Sequence, residues 1–128
     1  MSRVVLDASA ILAIINREPG HEKLTSEVLS EAVCSTVNLA EVQAKLVSRG
    51  WSPREAWEDA TSPIQEALDF TMEHARRTGD LVLQSRNLGL SLGDRACLAL
   101  AATLKCPVYT TDKLWKELKT SVRIHLLR

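Results

Sequence analysis

Short apolar runs alternate with helix-like segments along the whole chain, and this alternation restricts the fold more than any other feature. Residues 3–7, RVVLD, form an apolar, β-branched run that is typical of a buried parallel strand. Further strands are predicted at 33–37, 67–71, 107–112 and 122–127. Apolar or amphipathic helices are predicted between them, notably at 8–16, 38–50 and 96–104. The order predicts an α/β fold, a three-layer α/β/α sandwich around a mainly parallel sheet.

The more polar segments allow further local predictions. Helices with polar faces are predicted at 21–32 and at about 72–86, and a loop with two glycines at 87–93. Ser52 is predicted to cap a helix, because Pro53 suits a first helical turn and Glu55 completes a capping box with Ser52.

Length and charge limit the classes of protein to which the chain can belong. With 128 residues, it is expected to form one domain spanning residues 1–128. Its formal net charge is zero, whereas a protein that holds nucleic acid by charge alone is usually strongly basic. The three cysteines lack the spacing of a disulfide framework or a zinc site. No apolar run approaches the roughly 20 residues that span a bilayer, and no leader is recognisable, so we expect a cytoplasmic protein.

Four acidic residues stand at the ends or starts of predicted elements. Asp7 closes the first strand and is followed by three small residues, and Asp112 closes the strand at 107–112. Because ligands bind beyond the carboxyl ends of parallel strands, both side chains are candidates for a site there. Asp94 stands at the start of the apolar helix, and Glu41 stands early in its helix, just after a strand.

Each of these acids also has an ordinary structural interpretation. Asp94 and Asp112 suit helix N-caps, and Glu41 suits a solvated helix face. If all four carboxylates converge, however, each pair at about 7 Å costs roughly 2.4 kcal/mol at an effective dielectric near 20. Such a cluster must take up protons or cations. Carboxylate ligands without His or Cys favour Mg²⁺ or Mn²⁺ over Zn²⁺.

Three segments together resemble a known family. VVLDASAILAII (4–15), STVNLAEV (35–42) and LSLGDRACLALAATLKCPVYTTDKLW (90–115) occur in the order found in PIN-domain nucleases, and the chain resembles the VapC-type toxins of toxin–antitoxin pairs. The resemblance extends over essentially all 128 residues. It implies a five-stranded parallel sheet between helices, an endoribonuclease that uses Mg²⁺ or Mn²⁺, a homodimer, and a cognate antitoxin as partner.

The resemblance also implies roles for individual residues. The metal-binding and catalytic acids of the family correspond to Asp7, Glu41, Asp94 and Asp112. Ser9 and Thr111 resemble the small hydroxyl residues that support the metal shell. Arg95, directly after Asp94, is expected either to contact RNA phosphate or to pair with a carboxylate. Many relatives carry a further acid shortly after the last aspartate, but Lys113 and Leu114 stand there in this chain, which leaves a second metal ion open.

The expected mechanism is in-line attack of water on the RNA phosphodiester, with a metal ion polarising the phosphate. Glu41 is expected to bind that water or a second ion, and to act as general base through it. The main alternative is a catalytically silent PIN-fold module that binds RNA or protein. A second alternative is a serine hydrolase, since GLSLG (89–93) fits a nucleophile elbow with Asp112 and His125 downstream, although the polar residues before it do not form the required strand.

Overall fold

The computed structural model describes residues 2–128 and contains one sheet of five short strands. The strands are β1 (Val4–Leu6), β2 (Ala32–Ser35), β3 (Glu66–Leu68), β4 (Val108–Thr110) and β5 (Ile124–Leu126). Their order in the sheet is β3-β2-β1-β4-β5, and every neighbouring pair is parallel. The predicted parallel sheet is confirmed, and β1 and β4 lie at its centre, where the chain changes direction across the sheet.

Helices cover both faces of this sheet. In the described residues they are α1 (Ala8–Asn16), α2 (Ser26–Leu29), α3 (Thr36–Ser48), α4 (Pro53–Thr61), α5 (Met72–Asp80), α6 (Val82–Ser85) and α7 (Leu92–Leu104). One apolar core joins Leu6 on β1 to α1, α3 and α4. A second core joins the adjacent Val5, which points to the opposite face, to α7 and β4. The three-layer α/β/α architecture is therefore confirmed.

The predicted helix at 21–32 is wrong in detail. The segment contains a 3₁₀ turn, His21–Lys23, and then the single turn α2. The break has a local cause, because the Thr25 hydroxyl accepts a hydrogen bond from the Val28 amide and so starts a new helix. The predicted helix at 72–86 is likewise divided, at Leu81, into α5 and α6.

Helix starts account for most of the other differences. Ser35 ends β2 and also caps α3 by accepting from the Val37 amide, so Thr36 and Val37, predicted to continue the strand, lie in the helix. Ser91 caps α7, which places Gly93 inside a helix and not in the predicted loop. The predicted cap at Ser52 is confirmed, since its hydroxyl accepts from the Glu55 amide. None of the helices in residues 2–128 combines the length and apolar character needed to cross a membrane.

Gly20 is a position where only glycine fits. Its φ is 91°, and a Cβ there would overlap the carbonyl group of Leu127. We expect Gly20→Ala to lower the free energy of unfolding by about 1–3 kcal/mol, measured by urea denaturation. Gly79 in α5 is the matched control, because a Cβ there meets nothing within 4 Å and alanine favours a helix by up to about 1 kcal/mol. Equal losses of stability in the two variants would contradict the expectation.

Candidate active site

An open cavity of about 400 Å³ lies at the carboxyl ends of β1 and β4. The residues that line it come from four separate parts of the chain: Asp7, Ala8, Ser9, Leu12, Glu41, Lys45, Asp94, Thr111 and Asp112. The fold thus brings the four acids singled out from the sequence, together with Ser9 and Thr111, to one place. This is the switch point of a parallel sheet, where the connections from neighbouring strands leave in opposite directions.

Asp7 is held more tightly than the other acids. It directly follows β1, caps α1 through the Ala10 amide (2.8 Å to Oδ1), and is only 4% exposed. Its Oδ1 also accepts from the Ser9 hydroxyl at 2.7 Å, and its Oδ2 accepts from the Thr110 hydroxyl at 2.6 Å. Burial raises the pKa of Asp7 to about 6 even though these hydrogen bonds favour the charged form, and the charge of Asp94 adds to the rise. A cation beside Asp7 would favour the charged carboxylate and so offset the effect of burial on the pKa.

Two hydroxyl groups connect Asp7 to the end of β4. Thr110 accepts from the Asp112 amide at 3.1 Å and donates to Asp7, while Ser9 accepts from the Thr111 amide at 2.9 Å and also donates to Asp7. Ser9 therefore contacts Asp7 directly, and its role in supporting a metal shell stays a prediction. The threonine hydroxyl that donates to Asp7 is that of Thr110, while Thr111 lines the cavity and its expected role beside a metal stays a prediction.

In Asp94 and Asp112, one carboxylate oxygen accepts a hydrogen bond from a backbone amide at the start of a helix. Asp94 Oδ2 accepts from the Ser91 amide at 3.0 Å and completes a capping box, so Asp94 stands in the first turn of α7 and Ser91 is the cap. Asp112 Oδ1 accepts from the Leu114 amide at 3.0 Å and starts the 3₁₀ turn Lys113–Glu117. The N-cap prediction is thus confirmed for Asp112 and wrong for Asp94, which completes the capping box from the first turn. Each carboxylate keeps a second oxygen that is not used in these contacts.

Glu41 lies on the first turns of α3 and is exposed. Its Oε1 accepts from the Asn38 side-chain amide at 2.8 Å, and its carboxylate lies against the backbone of Gly93 in α7. The Glu41 carboxylate is therefore held against Gly93, the residue before Asp94, where two helices that are distant in sequence meet.

The donor chemistry of the site fits Mg²⁺ or Mn²⁺. Within residues 2–128, Asp94 Oδ1, Asp112 Oδ2 and Glu41 Oε2 receive no protein hydrogen bond. The cavity lining contributes carboxylate and hydroxyl oxygens and neither His nor Cys, which suits hard cations. In this part of the chain no three His, Cys, Asp or Glu side chains already converge as a metal-binding group, so the acids surround the cavity without closing around one point.

Two basic residues near the acids have different surroundings. Lys45, one helical turn after Glu41, lines the cavity, and sequence reasoning missed it although the four-residue spacing on one helix was readable. Arg95 does not line it; its Nη1 donates to the Thr78 carbonyl at 3.0 Å and joins α7 to α5. The predicted pairing of Arg95 with a carboxylate is absent from the ion pairs of residues 2–128, and its contact with RNA phosphate stays a prediction.

The structure does not support the serine-hydrolase alternative. Ser91 caps a helix that follows a turn, whereas a nucleophile elbow requires a strand directly before the serine. His125 lies on β5, stacked on the Tyr109 ring at a centroid distance of 4.9 Å, and is not part of the cavity lining.

Comparison with known proteins identifies the class. The sequence model of the PIN domain family matches residues 4–120, and the chain therefore belongs to that family, as its motifs predicted. The fold is similar to DNA-bound VapBC from Salmonella typhimurium (TM-score 0.79, 18% identity, 100% of both chains). It is also similar to VapC20 from Mycobacterium tuberculosis, a sarcin–ricin loop cleaving toxin (TM-score 0.71, 16% identity, 94% of this chain and 98% of that one). No curated protein sequence gives a significant match.

A third solved structure extends the same likeness. VapBC2 from Rickettsia felis, bound to a DNA fragment from its promoter, has a TM-score of 0.75 and 18% identity, over 96% of this chain and 97% of that one. At such identities the similarity concerns the fold.

Proposed function

We propose that this protein is a Mg²⁺- or Mn²⁺-dependent endoribonuclease and the toxin of a VapBC-type toxin–antitoxin pair. One observation carries the proposal: four carboxylates from separate segments of the chain line one cavity at the switch point of a PIN domain. The similar folds of VapBC proteins and of an RNA-cleaving VapC20 support it. The proposal includes a single cytoplasmic domain, residues 1–128, that forms a homodimer and binds a cognate antitoxin.

Asp7, Asp94 and Asp112 would hold the metal ion, with Glu41 completing its surroundings. At such sites a divalent cation supplies Lewis-acid polarisation of a phosphate and a lowered pKa of water. Glu41, which is exposed and has a free Oε2, takes the proton of the attacking water. The water oxygen bonds to phosphorus as the bond to O3′ breaks, so the products are a 5′-phosphate and a 3′-hydroxyl that takes its proton from solvent.

Lys45 is the residue of this chain best placed to meet the substrate. It is exposed, lines the same cavity as the acids, and forms no ion pair within residues 2–128. Four carboxylates repel an RNA phosphate, so a cation on the lining offsets part of that repulsion. We assign Lys45 a contact with a phosphate next to the scissile one, and no protein nucleophile is needed.

The test is an RNA cleavage assay with the purified full chain. We expect products with 5′-phosphate ends in Mg²⁺ or Mn²⁺ and none in EDTA. Glu41→Gln keeps the Asn38 hydrogen bond but removes the general base, and we expect cleavage to slow about 10²-fold. Glu27→Gln changes an exposed glutamate outside the cavity and serves as the matched control.

Two outcomes would contradict the proposal. Cleavage that persists in EDTA would exclude metal dependence. RNA that binds on metal addition but is never cut, in a panel that includes transfer, ribosomal and messenger RNA, would favour the silent PIN-fold module.

A further inference from the structure

We propose that Asn38 and Gly93 form a clamp that positions the Glu41 carboxylate beside Asp94 and thereby sets the affinity of the site for a divalent cation. The inference deepens the proposed function and rests on it for the identity of the metal ligands. Asn38 does not line the cavity itself. It is thus a positioning residue that acts through Glu41.

The first half of the clamp is the side chain of Asn38. It is 1% exposed, and its Nδ2 donates to two acceptors, Glu41 Oε1 at 2.8 Å and the Gly93 carbonyl at 3.0 Å. The two contacts fix the orientation of the amide group, because a flipped Asn38 would place its own oxygen against two oxygen acceptors. One side chain thus ties the carboxylate on α3 to the backbone of α7.

The second half of the clamp is Gly93, which has no side chain. A Cβ at this position would overlap the whole carboxylate group of Glu41, Oε1, Oε2 and Cδ together. The backbone does not itself require glycine here, since Gly93 lies in helix α7 and not in a left-handed conformation. A Cβ would instead force the end of the flexible Glu41 side chain to move away. The Glu41 carboxylate thus occupies the space that a side chain at position 93 would fill. Gly93 directly precedes Asp94 in the sequence.

The clamp holds Glu41 in place against electrostatic repulsion from the other carboxylates of the site. Glu41 is exposed, and a glutamate side chain without a partner would turn into solvent, away from the negative charges of Asp94 and Asp7. Asn38 also keeps its Oδ1 buried without a hydrogen-bond partner in the described residues, which destabilises the fold. An apolar residue of similar size would avoid that penalty, so the gain from Asn38 lies in placing Glu41.

The test measures Mn²⁺ binding by calorimetry in two backgrounds, the wild type and Glu41→Ala. Asn38→Leu keeps the branched shape of the side chain and removes the donors, and we expect it to weaken Mn²⁺ binding about 10–100-fold in the wild-type background. In the Glu41→Ala background the same substitution should change affinity less than about twofold, because the group it positions is gone. Asn16→Leu is the matched control, since Asn16 donates to Glu18 at 3.3 Å outside the cavity.

Gly93→Ala gives a second, independent variant, which decides the matter if Asn38→Leu does not fold. The added methyl group displaces the Glu41 carboxylate, so Mn²⁺ binding should weaken in the wild-type background and be unaffected in Glu41→Ala. Equal losses of affinity in both backgrounds, for either variant, would overturn the clamp and indicate a general structural role. Wild-type affinity in both variants would overturn it as well.

Failure of the clamp and failure of the proposed function are distinguishable. If the wild type binds Mn²⁺ and cleaves RNA while both variants behave like the wild type, only the clamp is wrong. If the wild type binds Mn²⁺ but cuts no RNA, the nuclease proposal is wrong, and a Glu41-dependent loss of affinity still supports the clamp.

Discussion

Replacing Asp7 with Asn is expected to slow RNA cleavage at least about 10³-fold while the protein remains folded. Asn keeps the shape and one acceptor oxygen for the Ala10 amide, so α1 retains its cap. The change removes the negative charge of the most buried acid of the site and puts a donor where Thr110 now donates. A metal ion supplies several kcal/mol of transition-state stabilisation, and about 1.4 kcal/mol corresponds to a tenfold rate.

Asp69→Asn is the matched control for this prediction. Asp69 directly follows β3, as Asp7 directly follows β1, but it does not line the cavity. We expect cleavage within twofold of wild type, and Mn²⁺ should raise the Tm of the control and not of Asp7→Asn. A folded Asp7→Asn protein that cuts RNA at the wild-type rate would remove Asp7 from the site.

The comparison of Asp7 with Asp69 also explains how far the sequence could predict the site. In the structure both acids directly follow a strand, although Asp69 lay in the middle of the predicted strand at 67–71, and this local position does not separate them. The order of strands does: β1 lies at the centre of the sheet, next to β4, whereas β3 lies at the edge, two strands away. Strong local patterns predicted β1, α7 and the acids at the ends of β1 and β4. Which strand ends meet depends on pairing across the sheet, and here the family resemblance supplied what local patterns lacked.

The hydroxyl partner of Asp7 illustrates the same dependence on register. Val5 pairs with Val108 and Leu6 with Tyr109, so continuing the ladder places Asp7 opposite Thr110. Alternation along β4 already indicates that Thr110 shares a buried face with Val108. Without the pairing between β1 and β4, however, the sequence offers no reason to prefer Thr110 to Thr111.

The contacts of Asn38 were beyond local reasoning for a different reason. Its amide reaches Gly93, 55 residues along the chain, through the packing of α3 against α7. A polar residue three positions before Glu41 on a helix is common, and its burial depends on which helix covers it. The sequence thus predicted where Glu41 lies along its helix, and the packing of α3 on α7 determines what holds it.

Trp115→Ala is expected to cause the largest loss of stability, about 3–5 kcal/mol. Trp115 is fully buried and packs in the apolar core beneath α7, with Val108 and Ile124 among its neighbours in that cluster. Since a domain of this kind is stable by only about 5–15 kcal/mol, the variant should unfold at much lower urea concentration, as followed by circular dichroism. Trp57→Ala is the control, because Trp57 is 51% exposed and its loss should cost less than about 1 kcal/mol.

The effect should extend to the site, because Trp115 anchors the turn that begins at Asp112. The Trp115 amide donates to the Asp112 carbonyl at 3.2 Å, so the buried indole fixes the segment whose first residue supplies one of the four carboxylates. The indole Nε1 is buried without a partner in the described residues, so Trp115→Phe removes an unsatisfied donor and should cost only about 1–2 kcal/mol. We therefore expect Trp115→Phe to keep Mn²⁺ binding, and Trp115→Ala to weaken it even at low temperature, where the variant is still folded. Trp115→Ala with the stability of Trp57→Ala would show that the Lys113–Glu117 turn is not anchored in the core.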